Sequence, residues 1–335
     1  MKKVAILTVL AVTAVSFAAI FNEVEPNDTK AQATPAFGLV NGDQLTGTST
    51  SSTGAGLDYW LLSTAPAPLG IYRHRLLVTP DNLAWTASIR GLGQTAAAVD
   101  TAPGIPWDGV VGVPNATEAT VQSISSATNP PRFQQWYGFG KAEQLHWRIN
   151  GSTATTVPYV VDYVVEPVTP VDIGSFQPGV ITITTFGQGH STDTDLWVYD
   201  SNFNAIVGYG NDDEAPNAIS GGPGTGTTLQ SWLARTYAPG VYYLALTNFN
   251  LANNQPSPSD DDFRTGSILE FPDAVLNSST TTNLNMAFSI NDLGRSIQIP
   301  NTKVGAFDIN WFKFTVVPEP TSLVLLALGA LLRRR

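Results

Sequence analysis

Asp193, Asp195, Asp200, Asn202, Asn204, Asp212 and Asp213 crowd one short stretch of the chain. Carboxylate and amide oxygens at this density are the ligands that a hard cation selects, and Ca²⁺ takes about six to eight of them. Asp200-Ser-Asn202-Phe-Asn204 repeats the first three ligand offsets of an EF-hand loop. Ala205 then stands where that loop needs Gly, and Asn211 where it needs a bidentate Glu, so this is not an EF-hand. Asp and Asn in such a turn are expected to cap their own backbone. Asp193, Asp195, Asp212 and Asp213 are therefore the candidate Ca²⁺ ligands. A second acidic run, Asp260-Asp261-Asp262, is expected to be a solvated face, because adjacent like charges repel.

Other chemistry is sparsely represented. The absence of cysteine excludes disulfides, thiolate catalysis and cysteine metal sites. His74 and His146 have no acidic or second His neighbour at ligand spacing. His190 shares a loop with Ser191 and Asp193, too close in sequence to form a triad readily. Gly221–Gly226 lacks the Lys-Ser/Thr ending and the helix of a phosphate loop. A hydrolase would have to use carboxylates such as Asp58, Asp108 or Glu118. Tryptophans in alternating strands are expected in the core. Trp107 and Trp136-Tyr137 fall outside the clear strand signals and are the candidates for ligand-facing platforms that stack on sugar rings.

The elements that must position these groups are strands. Apolar residues make up 43% of the 335-residue chain and charged residues only 13%, with Thr, Ser, Asn and Gly between them. Helical periodicity is nearly absent from 22 to 317. Short runs rich in β-branched and aromatic residues alternate with Gly, Pro, Asn and Asp, as in LDYWLL (57–62), YRHRLLV (72–78), VPYVVDYVV (157–165), DLWVY (195–199), VYYLALT (241–247) and WFKFTV (311–316). This predicts an all-β protein of two antiparallel β-sandwich, jelly-roll-like domains, 19–166 and 173–317, joined by a proline-stiffened linker at 167–172.

The ends read differently. MKKVAILTVLAVTAVSFAAI has the basic start, apolar run and small-residue exit of a signal peptide, with cleavage expected after Ala18 (residues 1–18). The apolar run Leu323–Leu332 is short against the roughly 20 residues of a spanning helix, and Arg333, Arg334 and Arg335 would stay on the cytoplasmic side. An N-terminal signal helix and a short C-terminal hydrophobic helix are thus expected. The net charge is −10; without Lys2, Lys3, Glu319 and the three terminal arginines, 12 bases face 26 acids, a net of −14. Such a surface repels phosphate backbones, which argues against nucleic acid as a partner, and attracts cations.

Two resemblances follow from these residues. Pro318-Glu319-Pro320, a short hydrophobic segment and a terminal basic cluster resemble the PEP-CTERM sorting signal over 318–335. That resemblance implies export through the Sec machinery, transient inner-membrane contact, and recognition by an exosortase that cuts near the motif. Glu25-Pro26-Asn27-Asp28, Gly42-Asp43 and Asp58-Tyr59-Trp60 resemble the start of a bacterial pre-peptidase C-terminal domain over residues 22–64. Asp193–Phe249 follows the same group's strand, acidic loop and PG-x-YY pattern, with 253–283 as an inserted loop. The resemblance implies a small jelly-roll sandwich, with Tyr242 on one face of its strand and Val241 and Tyr243 on the other. It also adds support for Ca²⁺ at a strand start and a nearby acidic loop. The expected function is that of an exported, non-enzymatic envelope or extracellular-matrix protein that requires no cofactor, with Ca²⁺ as the one candidate bound ion. The alternatives are a module that binds extracellular polysaccharide through exposed Trp, and an accessory protein of secreted hydrolases.

Overall fold

The computed structural model describes residues 18–48, 56–79, 85–95, 107–125, 132–151, 158–213, 229–261 and 266–318. The expected signal segment up to residue 17, and the sorting segment from Glu319 through Pro320 to Arg333, Arg334 and Arg335, lie outside the described residues. Apart from one 3-10 turn at Lys30–Gln32, every regular element among the described residues is a strand. No helix among them is long and apolar enough to cross a membrane.

Among the described residues the strands build four larger sheets and one two-stranded ribbon, Leu284–Asn285 with Thr302–Lys303. A six-stranded sheet runs Gly266–Ile268, Trp85–Thr95, Gln144–Gly151, Leu57–Thr64, Thr34–Leu39, with Val113–Ser125 paired beside Trp85–Thr95. A seven-stranded sheet runs Ile20–Asn22, Gln44–Gly47, Tyr159–Val168, Ile71–Thr79, Phe133–Gly138, Ala274–Asn277, Leu251–Ala252. A five-stranded sheet runs Val171–Phe176, Asn310–Val316, Gly240–Asn248, Thr194–Tyr199, Ala205–Asn211, and a four-stranded sheet Trp232–Tyr237, Gly179–Thr184, Phe288–Asn291, Ser296–Ile299. One apolar core, with Trp60, Trp136 and Trp147, is shared by the six- and seven-stranded sheets. A second, with Leu196, Leu244 and Phe312, is shared by the five- and four-stranded sheets. Each pair is β-sandwich-like.

A third core joins the pairs. Tyr137, Phe139 and Val275 from the seven-stranded side meet Trp197, Tyr199 and Trp311 from the five-stranded side. The seven- and five-stranded sheets are therefore central layers, covered on both faces. The period of two shows directly in Gly240–Asn248, where Tyr242 packs into the second core and Tyr243 against the third, on opposite faces as expected.

Three expectations change. The sheets are mixed rather than purely antiparallel: Ile20–Asn22 with Gln44–Gly47, Thr34–Leu39 with Leu57–Thr64, and Val171–Phe176 with Asn310–Val316 pair in parallel. The stretch read as a loop at 253–283 supplies strands to both sheets of the first core: Gly266–Ile268 pairs with Trp85–Thr95, and Ala274–Asn277 with Phe133–Gly138. Trp136 and Tyr137 lie within a strand. Because that strand belongs to a covered layer, the two rings point into different cores and are only 1% and 2% exposed. They do not face a ligand.

Lys303 fastens the same junction. Its fully buried ammonium donates to Asn248 Oδ1 (2.7 Å), Asn277 Oδ1 (3.0 Å) and Ser279 O (2.9 Å), which satisfies all three protons. With no carboxylate in that shell, burial pulls its pKa down to about 8.

Candidate metal centre

The acidic site grows from one hairpin. In Thr194–Tyr199, alternation sends Leu196 and Val198 into the second core and sends Asp195, Trp197 and Tyr199 the other way. The partner strand Ala205–Asn211 runs antiparallel with Leu196 opposite Asn211, so its end delivers Asp212 and Asp213 beside Asp193 and Asp195. Gly210 is required there, since a Cβ would collide with the Trp197 ring. The Asp200 turn at the far end caps itself: Asp200 Oδ1 accepts from the backbone of Asn202 (2.8 Å) and Asn204 (2.9 Å), as expected.

One carboxylate oxygen each of Asp193, Asp212 and Asp213 lies within 4.8 Å of the others, close enough to hold one metal ion. Asp195 Oδ2 accepts from the Leu251 N–H (2.5 Å). Asp212 is only 2% exposed, and among the described residues neither of its carboxylate oxygens has a hydrogen-bond partner. A buried carboxylate with no donor is costly unless a cation or proton neutralises it. Burial, reinforced by Asp195 and Asp261, holds the Asp212 pKa well above the usual carboxylate range. Asp195 is raised in the same way, by burial and then by Asp261. Burial raises Asp193 to about 6. All four sequence candidates thus meet at one place, in an environment that disfavours bare negative charge.

The structure adds a fifth group that local reading assigned to solvent. Asp260 and Asp261 are buried, while Asp262 lies outside the described residues. Asp261 Oδ1 accepts long bonds from the backbone N–H groups of Asp212 and Asp213 (both 3.4 Å). Asp260 takes a bidentate pair from Arg235, at 2.8 Å on both arms. Arg235 also donates to Gly208 O (2.8 Å) and stacks on Trp107, its guanidinium carbon 4.6 Å from the ring centroid. Trp107, expected to face a ligand, is thereby half-buried against Arg235. A cavity of about 20 Å³ is lined by Asp195, Asp212, Asp261, Asn250 and Asn253 among others, about the space one water or ion fills.

A second carboxylate group was missed in sequence. Glu23, Glu25 and Asp58 bring one oxygen each within 4.8 Å. Asp58 is buried, and burial followed by the charge of Glu23 raises its pKa to about 8. Glu25, Asn27 and Asp58 all sit in motifs quoted above, but nothing local shows that the N-terminal segment folds back over Leu57–Thr64. The sign of the linkage is definite. In metal-free protein the folded Asp58 carboxyl keeps its proton up to about pH 8, whereas the unfolded one releases it near 3.8. The native state then binds more protons across this window, so its stability falls as pH rises from about 4 to 8. Asp58→Asn is expected to flatten that fall and raise the melting temperature at pH 8 in chelator. Parallel pH–melting curves for variant and parent would contradict the assignment.

The remaining candidates occupy other settings. Asp108 Oδ1 accepts from Val110 N–H (2.8 Å) and the Ser259 hydroxyl (2.6 Å), and Glu118 pairs with Arg90 (2.5 Å). With Asp58, they do not form one constellation. His190 Nε2 meets Ala287 O (2.9 Å), and its Nδ1 accepts from Thr192 N–H (3.1 Å). His74 stacks on Trp136 (5.1 Å between centroids), and burial lowers its pKa to about 4. His146 reaches Glu270 at 2.9 Å. In comparisons with known proteins, the chain matches no protein-family model and no curated protein sequence.

Proposed function

We propose that the chain is an exported, non-enzymatic envelope or extracellular-matrix protein whose β fold is completed by Ca²⁺. One observation carries the metal reading: Asp212 is buried with both carboxylate oxygens unpartnered, facing Asp193 and Asp213. A hard divalent ion supplies what these oxygens lack, and a set made of carboxylates suits Ca²⁺ better than a transition metal. Export rests on the sequence of the two ends. Pro318 is exposed and follows within two residues of the last strand, Asn310–Val316, so a processing enzyme acting at Pro318-Glu319-Pro320 would meet the chain just outside the sheet.

The polysaccharide reading loses support. Trp136 and Tyr137 are in the cores, and Trp107 is committed to Arg235.

Calorimetric titration of chelator-treated protein is expected to show saturable Ca²⁺ binding. Asp212→Asn is expected to weaken it by about tenfold or more, since the site loses one of its few charged ligands. Unchanged affinity in that variant would remove Asp212 from the site.

A further inference from the structure

Asp261 lies 49 residues from Asp212 in sequence, yet its carboxylate sits against the Asp212 and Asp213 backbone and lines the same small cavity as Asp195 and Asp212. It arrives on a segment anchored elsewhere. Ile268 of that segment pairs with Leu92 in the six-stranded sheet, and Val275 with Tyr137 in the seven-stranded sheet. Ala252, Leu269 and Leu276 are part of the first core. The aspartates it meets are Asp195 in the five-stranded sheet and Asp212 and Asp213 directly after that sheet's strand Ala205–Asn211. At the junction, the Phe249 N–H donates to Asp193 O (3.1 Å) and the Leu251 N–H to Asp195 Oδ2 (2.5 Å).

We infer that Asp261 is a ligand of the Ca²⁺ site, and that the bound ion ties the segment from Phe249 to Asn277 onto the Asp193–Asp213 hairpin. This rests on the Ca²⁺ reading above and extends it to a structural coupling. Two features point to it independently of the count of acids. The Asp212 oxygens are buried and unpartnered, and a cavity of single-ion size opens between Asp212, Asp195 and Asp261. Ca²⁺ accepts ligands from separate chain segments because its coordination sphere is large and irregular. Without the ion, the Asp261 carboxylate acts as a like charge on both Asp195 and Asp212, and Arg235 is committed to Asp260. Repulsion then opposes docking of the segment that brings Asp261. With the ion bound, the same carboxylates become the attachment.

Amide hydrogen exchange on the whole protein, with excess Ca²⁺ or with EGTA, tests this beside a calorimetric Ca²⁺ titration. Peptides covering 249–261 are expected to exchange about tenfold or more faster in EGTA, while a peptide covering Gly179–Thr184 in the four-stranded sheet stays unchanged. Asp261→Asn is expected to bind Ca²⁺ at least about tenfold more weakly and to lose the Ca²⁺-dependent protection of 249–261. Ca²⁺ binding by the parent protein with no change in exchange at 249–261 would overturn the coupling and leave the site intact. Equal Ca²⁺ affinity in Asp261→Asn would overturn the ligand assignment. No Ca²⁺ binding by the parent would overturn the site and the coupling together.

Discussion

Chelator-treated protein at pH 7.5 is expected to melt about 5–10 °C higher once Ca²⁺ is supplied at roughly 100 times its dissociation constant. By mass action, binding to the native state alone at that excess adds about 2.7 kcal/mol, and each kcal/mol moves the melting point of a domain of about 150–250 residues by roughly 2–4 °C. The pH dependence sharpens the test. Without metal, Asp195 and Asp212 hold their protons well above the usual carboxylate range, and Asp193 does so to about pH 6. In the unfolded chain all three ionise near 3.8. The native state therefore binds more protons over this interval, and the chelated protein loses stability as pH rises through it. Ca²⁺ competes with those protons, so its effect is expected to be small at pH 5 and large at pH 7.5. Mg²⁺, which demands octahedral geometry and gives up its water reluctantly, is expected to shift the melting point less. A melting temperature at pH 7.5 that is the same in EGTA and in millimolar Ca²⁺ would count decisively against the site.

The legible part of the fold was the part with local strand-forming composition. Leu57–Thr64, Ile71–Thr79, Thr194–Tyr199 and Gly240–Asn248 are runs of aromatic, β-branched and aliphatic residues that bury apolar side chains, and their sequences say so. Val113–Ser125 does not. Five of its first eight residues are exposed and four are polar, held by pairing with Trp85–Thr95 rather than by a core; Gly112 precedes it and Pro114 lies within it. Phe133–Gly138 carries Gln134, Gln135, Trp136 and Tyr137, all buried, because it lies between two cores. A strand covered on both faces has no polar side to reveal its period. The same limit applies to the metal site. Asp193 with Asp195, and Asp212 with Asp213, are close in sequence and joined by a hairpin, so local reading found them. Asp260 and Asp261 resemble a solvated run until Arg235 and the backbone of Asp212 and Asp213 are brought against them across the sheets. Burial of a carboxylate is set by distant chain, and no local pattern encodes it.

Arg235→Met is expected to destabilise the protein by about 3–5 kcal/mol, the usual cost of leaving one member of a buried ion pair unpaired. Both side chains are 4% exposed, so the Asp260 carboxylate would have neither its guanidinium nor water. Its position makes the loss worse. Asp260 adjoins Asp261, which already faces Asp195 and Asp212, and Arg235 is the cation that keeps this extra carboxylate out of that electrostatic balance. The loss is expected to shrink at pH 4, where an uncompensated buried carboxyl takes up a proton, and to be largest near neutrality. Removing Asp260 as well, in Arg235→Met with Asp260→Leu, is expected to recover more than half of the lost stability. Recovery stays incomplete because Gly208 O and Ala234 O lose the donor that Arg235 supplies to each. The melting points of the two variants at pH 4 and pH 7 decide the matter. If the single and double variants are equally unstable at both pH values, Arg235 acts through its packing on Trp107 rather than through Asp260. If only the single variant is unstable, and more so at pH 7, the charge balance around Asp260 and Asp261 is what Arg235 maintains.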